Sequence, residues 1–335
     1  MDKYPAILAI ESSCDDTSAA VLKGEEMLSN CIAGQEAHRL YGGVVPELAS
    51  RAHLQNIVPV VQQAMEQAGV EFSELNAIGI TRGPGLLGSL IVGVSYAKSL
   101  ALSLEIPLIE VNHMQAHVLA HFIEDPKPQF PFLCLTVSGG HSQIVLIKDH
   151  LNMEVIGSTI DDAAGEAFDK TGKMLGLDYP AGPIIDKKAK LGKPVFEFAK
   201  PKVADLNYSF SGLKTSILYF LKKQIKENEH FIQENLNDIC ASVQKSIIDI
   251  LMEKLIMASE QTGVKEVSIA GGVSANSGLR AALQDIAEKK NWNTYIPKIS
   301  HCTDNAAMIA MAAHYKFLKK EFSGQDIAPM ARWKF

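Results

Sequence analysis

A strand–turn–strand unit occurs twice in this chain, and it limits the possible folds more than any other feature. Ala6-Ile7-Leu8-Ala9-Ile10 is apolar, Glu11-Ser12-Ser13-Cys14-Asp15-Asp16-Thr17 is polar, and Ser18-Ala19-Ala20-Val21-Leu22 is apolar again. Phe132-Leu133-Cys134-Leu135-Thr136-Val137, Ser138-Gly139-Gly140-His141-Ser142 and Gln143-Ile144-Val145-Leu146-Ile147 repeat the device one lobe later. Short apolar runs around a small polar turn read as hairpin strands. The first hairpin leads into a third strand (26–33), a helix (47–68), a buried strand (76–81), an apolar helix after Gly83-Pro84-Gly85, and a strand (107–111). The second leads into a long helical region (205–262), a strand (266–270), a helix from near Ser277 and a last helix (305–320). The repetition predicts an α/β protein of two duplicated lobes rather than a single Rossmann sheet.

Composition agrees with two real cores. The 335 residues are 47% hydrophobic and 21% charged, which excludes a disordered scaffold. The five cysteines (Cys14, Cys31, Cys134, Cys240, Cys302) form no CxxC pair, so neither a disulfide framework nor a thiolate zinc site is expected, and a reducing compartment fits. Met1-Asp2-Lys3-Tyr4-Pro5 lacks the build of a secretory leader. The apolar stretch 86–104 carries Ser89, Ser95, Lys98, Ser99 and Ser103, which suits a buried helix better than a membrane span. A net charge of −6 supplies no overall attraction for nucleic acid, so a local patch or a partner would have to provide it. The lysines of 186–202 read as a solvated face.

Three loops have the build of phosphate cradles: 11–17, Ser138-Gly139-Gly140-His141, and Gly271-Gly272-Val273-Ser274-Ala275-Asn276. Each follows an apolar strand, where glycine lets backbone N–H groups approach an anion. Neither a Rossmann GxGxxG nor a P-loop occurs where it would be needed. Acidic clusters follow at 161–170 and at Asp186. They read as ribose or cation contacts, and the first reads equally as an ordinary acidic helix start.

His113-Met114-Gln115-Ala116-His117 comes just after a strand. On a helix the two histidines share a face, about 6 Å apart along the axis. Such a pair suits metal binding, with His121 competing at the same spacing, though paired histidines also occur as caps and surface residues. Met114 stands where a zinc peptidase needs its glutamate, which argues against proteolysis. Asp304 in Thr303-Asp304-Asn305 reads as a helix cap, or as the carboxylate that completes a two-His, one-carboxylate site.

Taken together, the segments 11–17, Thr81-Arg82-Gly83-Pro84-Gly85, 112–117, 137–141, 271–276 and Thr303-Asp304-Asn305-Ala306-Ala307 resemble TsaD, the bacterial branch of the universal tRNA threonylcarbamoyladenosine family. The resemblance runs the length of the chain. It implies the actin-like fold shared with sugar kinases and Hsp70 and a nucleotide between the lobes. The lobes would be 1–125 with 302–335, and 126–301. It also implies a metal on His113, His117 and Asp304, not His121, usually Fe(2+), with Zn or Mn able to use the same ligands. Nucleotide-side contacts would fall on Thr136, Val137, Ser138, Gly139, Gly140, Asp169, Gly182, Asp186 and Asn276. Asp15, or Asp16, would be the acidic group needed for activity. The activity implied is transfer of threonylcarbamoyl from threonylcarbamoyl-AMP to N6 of the adenosine 3′ of the anticodon in a cytoplasmic tRNA. Expected partners are a metal-free paralogue (TsaB) and a small P-loop ATPase (TsaE), with no membrane. An actin-fold small-molecule kinase is the rival reading, followed by a chaperone-type ATPase; neither accounts for the histidine pair.

Overall fold

The structure is a computed structural model that describes residues 4–34 and 41–334, so most of the N-terminal segment read above as lacking a leader lies outside the described residues. The chain divides into two compact units. One comprises Met1–Lys127, His150–Met153 and Lys298–Phe335; the other comprises Pro128–Asp149 and Glu154–Pro297.

In the first unit, β1 (Ala6–Glu11), β2 (Thr17–Lys23) and β3 (Glu26–Ala33) are followed by α1 (Pro46–Ala68), β4 (Ala77–Gly83), α2 (Leu87–Leu104), β5 (Leu108–Asn112) and α3 (His113–Leu119). The sheet order is β3-β2-β1-β4-β5. β1 and β2 are antiparallel from Ala6↔Lys23 to Glu11↔Ser18, and β1, β4 and β5 are parallel. Every residue of β1 is buried, as expected of a central strand covered on both faces. Leu8, Ile10, Ile78 and Ile80 pack with Ile57, Val61, Val94 and Ala97 of α1 and α2. α2 is buried along one stripe only, Leu90, Val94, Ala97 and Ala101, while Leu87, Ile91 and Leu102 are exposed. That corrects the expectation of a buried helix. Among the described residues it is the one helix long and apolar enough to cross a membrane.

In the second unit, β6 (Phe132–Val137), β7 (Ser142–Asp149) and β8 (Asn152–Ser158) precede α4 (Ala164–Met174), α5 (Ala181–Ala189), α6 (Ser211–Glu227), α7 (Phe231–Thr262), β9 (Glu266–Ala270), α8 (Ser277–Lys290) and β10 (Asn293–Tyr295). The order β8-β7-β6-β9-β10 repeats that of the first sheet, with β6 antiparallel to β7 and parallel to β9. The long helical region expected over 205–262 consists of two helices, separated at Asn228, whose extended backbone ends α6 and whose side chain accepts from the His230 N–H at 2.9 Å.

The last helix, α9 (Ala306–Leu318), returns to the first unit. Gly79 permits this approach, since a Cβ there would lie 2.8 Å from the Ala313 Cβ. Asn305 caps α9 by accepting from the Met308 N–H at 3.1 Å, and the Ala306 N–H donates to Ser18 Oγ at 2.7 Å. The residue before that cap, Asp304, is thereby fixed beside the β1–β2 turn.

Candidate active site

α3 begins where β5 ends. Asn112 Oδ1 accepts from the N–H groups of Met114 and Gln115, so the helix starts on His113. One turn later comes His117, and the rings meet edge to face with centroids 4.7 Å apart. Asp304 Oδ1 lies 3.4 Å from His113 Nε2 and 3.2 Å from His117 Nε2. One donor atom from each of the three residues lies within 4.8 Å of the others, close enough to hold a metal ion. Two imidazole nitrogens and a carboxylate oxygen form a donor set suited to Fe(II), Zn(II) or Mn(II). His121 is buried in the 3-10 turn after α3 and is not one of the converging donors.

Behind His113 stands Glu11, fully buried at the end of β1. Its Oε2 accepts from Thr81 Oγ1 at 2.6 Å and lies 3.0 Å from His113 Nδ1, while Oε1 accepts from the Ser13 N–H at 2.5 Å. Burial pushes the Glu11 carboxyl up, but the charge and hydrogen bond of His113 outweigh it and hold the group below its ordinary value. Asp304 is held well below the usual carboxylate range, burial again being outweighed by the two histidines. Burial opposes protonation of His113, yet the Asp304 and Glu11 carboxylates raise it well above the ordinary imidazole value. Two ionised carboxylates around two histidines leave the site negative and receptive to a cation.

The acidic loop lies against this group. His53 of α1 joins Thr17 Oγ1 at 2.7 Å to the Cys14 carbonyl at 3.0 Å, and Ser89 of α2 also donates to that carbonyl. The Asp16 carboxyl is pushed up to about 7, by burial first and then by the negative charges of Asp15, Asp304 and Glu11. Burial and the same acids push the Cys14 thiol far up, which leaves it unreactive at neutral pH.

In the second unit a cavity of about 340 Å³ is lined by residues that include Gly139, Phe168, Asp169, Tyr179, Gly182, Asp186, Gly272 and Asn276. That volume suits a small organic ligand. Three backbone segments close tightly around it. A Cβ on Gly165 would meet the Ser138 carbonyl oxygen at 2.6 Å, and one on Gly271, at φ +86°, would meet that of Val137 at 2.4 Å. Gly139, Gly140 and Gly272 have open space at that position, leaving their backbones approachable. Asn276 caps α8 by accepting from Leu279 N–H at 3.0 Å, and Asp186 Oδ1 accepts from Ser277 Oγ at 2.7 Å. The α8 N-terminus therefore borders the cavity, where anions are favoured.

Five of the nine expected nucleotide-side residues, Gly139, Asp169, Gly182, Asp186 and Asn276, line this cavity. Thr136 and Val137 are buried within β6, Ser138 Oγ accepts from the His141 N–H, and Gly140 is exposed at the turn; none of the four lines the cavity. Of the acidic cluster only Asp169 reaches it. Asp161 accepts from the N–H groups of Phe210 and Ser211 at the start of α6, and Asp162 pairs with Lys170 and Lys214. Sequence reasoning placed Glu11 only within the 11–17 loop and assigned no role to Phe168 or Tyr179. For Glu11 the signal was a lone carboxylate ending a wholly apolar strand.

Two repeated β-meanders, each extended by parallel strands, with a His–His–Asp group in one unit and a glycine-walled cavity in the other, define a protein of the actin-like α/β class. Solved structures agree on the fold. The chain superposes on T. kodakarensis HypF with a TM-score of 0.64 at 14% identity, covering 95% of this chain and 48% of that one. On full-length HypF in a phosphate- and nucleotide-bound form the TM-score is 0.62 at 15% identity, covering 94% and 46%. This chain thus spans about half the length of those proteins. The tRNA N6-adenosine threonylcarbamoyltransferase family, TsaD, matches residues 26–311. Enzymes of that name from Riemerella anatipestifer (62% identical, covering 99% of this chain and 98% of the relative) and Christiangramia forsetii (59%, covering 100% and 99%) match end to end. The chain belongs to the TsaD family of tRNA N6-adenosine threonylcarbamoyltransferases.

Proposed function

We propose that this chain transfers the threonylcarbamoyl group of threonylcarbamoyl-AMP to N6 of the adenosine just 3′ of the anticodon, in tRNAs reading codons that begin with A. End-to-end identity of 62% with an enzyme named for transfer to tRNA N6-adenosine carries this reading. The site chemistry supports it. His113, His117 and Asp304 would hold the metal, with Fe(2+) as the first candidate and Zn or Mn as alternatives. A metal held there would supply Lewis acidity toward the donor's carbonyl or phosphate oxygens.

The chain's own groups do the rest in this proposal. Gly139, Asp169, Gly182, Asp186 and Asn276 bind the AMP portion in the second-unit cavity, while Thr136 and Val137 end β6 and Ser138 and Gly140 belong to the turn that follows it. Backbone N–H groups meet the phosphate. The adenosine N6 amine attacks the carbamoyl carbon, forming a C–N bond while the C–O bond to phosphate breaks and AMP leaves. The proton lost from N6 passes to a carboxylate of the 11–17 loop. Asp15 is the assigned base, and Asp16, at about 7, has the value expected of a base working near neutrality. A metal-free paralogue (TsaB) and a small P-loop ATPase (TsaE) are proposed partners, and the cytoplasm is the proposed compartment.

The test supplies threonylcarbamoyl-AMP, unmodified tRNA and the partner proteins, then measures nucleosides of the product tRNA by mass spectrometry. Threonylcarbamoyladenosine should form. Its absence, together with phosphorylation of a small substrate from ATP, would establish the kinase reading instead.

A further inference from the structure

We infer that Glu11 is a positioning residue that presets His113 for metal binding, which gives the two histidines unequal roles. The inference rests on the metal reading above and extends it to a residue outside the three donors. Glu11 is completely buried and receives a backbone N–H from Ser13 and the Thr81 hydroxyl. Its Oε2 faces His113 Nδ1 at 3.0 Å, with Ser13 Oγ at 3.2 Å from the same nitrogen. A carboxylate can only accept, so His113 Nδ1 must carry a proton. Nε2, the nitrogen facing Asp304 at 3.4 Å, is then the one whose lone pair a metal would take, displacing any proton held there in the metal-free protein. The carboxylate also makes the ring a more basic ligand.

His117 has no such support. Its Nδ1 is buried and has no hydrogen-bond partner among the described residues. The asymmetry follows from the fold. β1 ends beside the start of α3 and places Glu11 behind His113, whereas His117, one turn on, has no carboxylate behind it. Glu11 therefore fixes ring orientation and tautomer at one ligand, while His117 is held by packing and by Asp304.

The test uses the full chain and Zn(2+) as a diamagnetic probe, with affinity read by competition against a chelator. Glu11→Gln keeps the side-chain volume but removes the charge and sets an amide N–H₂ among three donors. It should weaken zinc binding by about tenfold to a hundredfold, the usual range for loss of such a partner. Its metal-free thermal midpoint should fall, because the amide N–H₂ faces buried donors, so the affinities are compared at a temperature where both proteins are folded. Zinc affinity within twofold of the parent would overturn the inference while leaving the metal site standing. No zinc binding by the parent chain would overturn both. A second readout needs no variant. In the zinc-loaded parent, nitrogen-resolved NMR of the histidine rings should show His113 bound through Nε2 with a protonated Nδ1. Zinc on Nδ1 would refute the inference even if Glu11→Gln failed to fold.

Discussion

Replacing Asp16 by asparagine should make the metal-free protein more stable, and increasingly so as pH rises. Asp16 lies in a partly buried acidic loop whose other charges, from Asp15, Asp304 and Glu11, all oppose its ionisation. Its carboxyl is raised from 3.8 to about 7. Since the folded state holds this proton more tightly than the unfolded chain, stability is greatest below the unfolded value and falls as pH rises toward the folded one. At about 1.4 kcal/mol per pH unit, the gap between the two values amounts to about 4 kcal/mol once pH exceeds 7. Near pH 5 the loss is only about 2 kcal/mol, because the folded carboxyl is still protonated there. Asparagine is neutral throughout and avoids the cost. Urea unfolding of the parent and Asp16→Asn, with chelator present, at about pH 5 and about pH 8 gives both differences by linear extrapolation. A stabilisation at pH 8 about two to three times that at pH 5 is expected. Destabilisation at pH 8, or a difference that ignores pH, would refute the electrostatic reasoning. Added Zn(2+) should shrink the effect, since a cation beside Asp304 offsets part of the repulsion.

His113→Ala and His117→Ala should each abolish most metal content, measured by elemental analysis after loading with Fe(2+) or Zn(2+), while His121→Ala should retain it. Equal loss from all three would favour a three-histidine site. Asp162 is held below its ordinary value by Lys170 and Lys214, which outweigh burial. Its contribution is present above the unfolded value and disappears as pH falls through the folded one. Asp162→Asn should therefore cost about 1 kcal/mol at neutral pH, with the partly exposed lysines limiting the figure, and almost nothing in acid; urea melts at the two pH values check this. Gly271→Ala should destabilise the second unit by about 1–3 kcal/mol, because φ is +86° and the Val137 carbonyl oxygen blocks the new methyl. Gly139→Val has open space for its Cβ but lines the cavity, so it should leave the thermal midpoint near that of the parent while weakening AMP binding by calorimetry.

What could be read in the sequence depended on how far apart in the chain the interacting residues lie. β1, β2, β6 and β7 were legible because unbroken apolar runs must be covered, and the polar turns between them set the hairpins. The histidine pair was legible because i, i+4 spacing on a helix is a local property. α4 and α5 were legible only in part: the acids of 161–170 read as ligand contacts or as a helix start, Pro-Ala-Gly-Pro gave no helix signal, and the helices are held by partners elsewhere. Asp169, for example, accepts from the Ala181 N–H at 2.8 Å. Glu11 shows the limit most clearly. As a residue it only ends an apolar strand. Its partners Thr81 and His113 lie 70 and 102 positions away, and no local pattern links them. They meet because β4 pairs directly with β1 and β5 with β4, which brings the ends of the three parallel strands together. A carboxylate at the end of β1 is therefore delivered to a histidine at the end of β5 by strand order. The residue that orients the ligand was legible in principle from topology, once topology was known, and not from spacing.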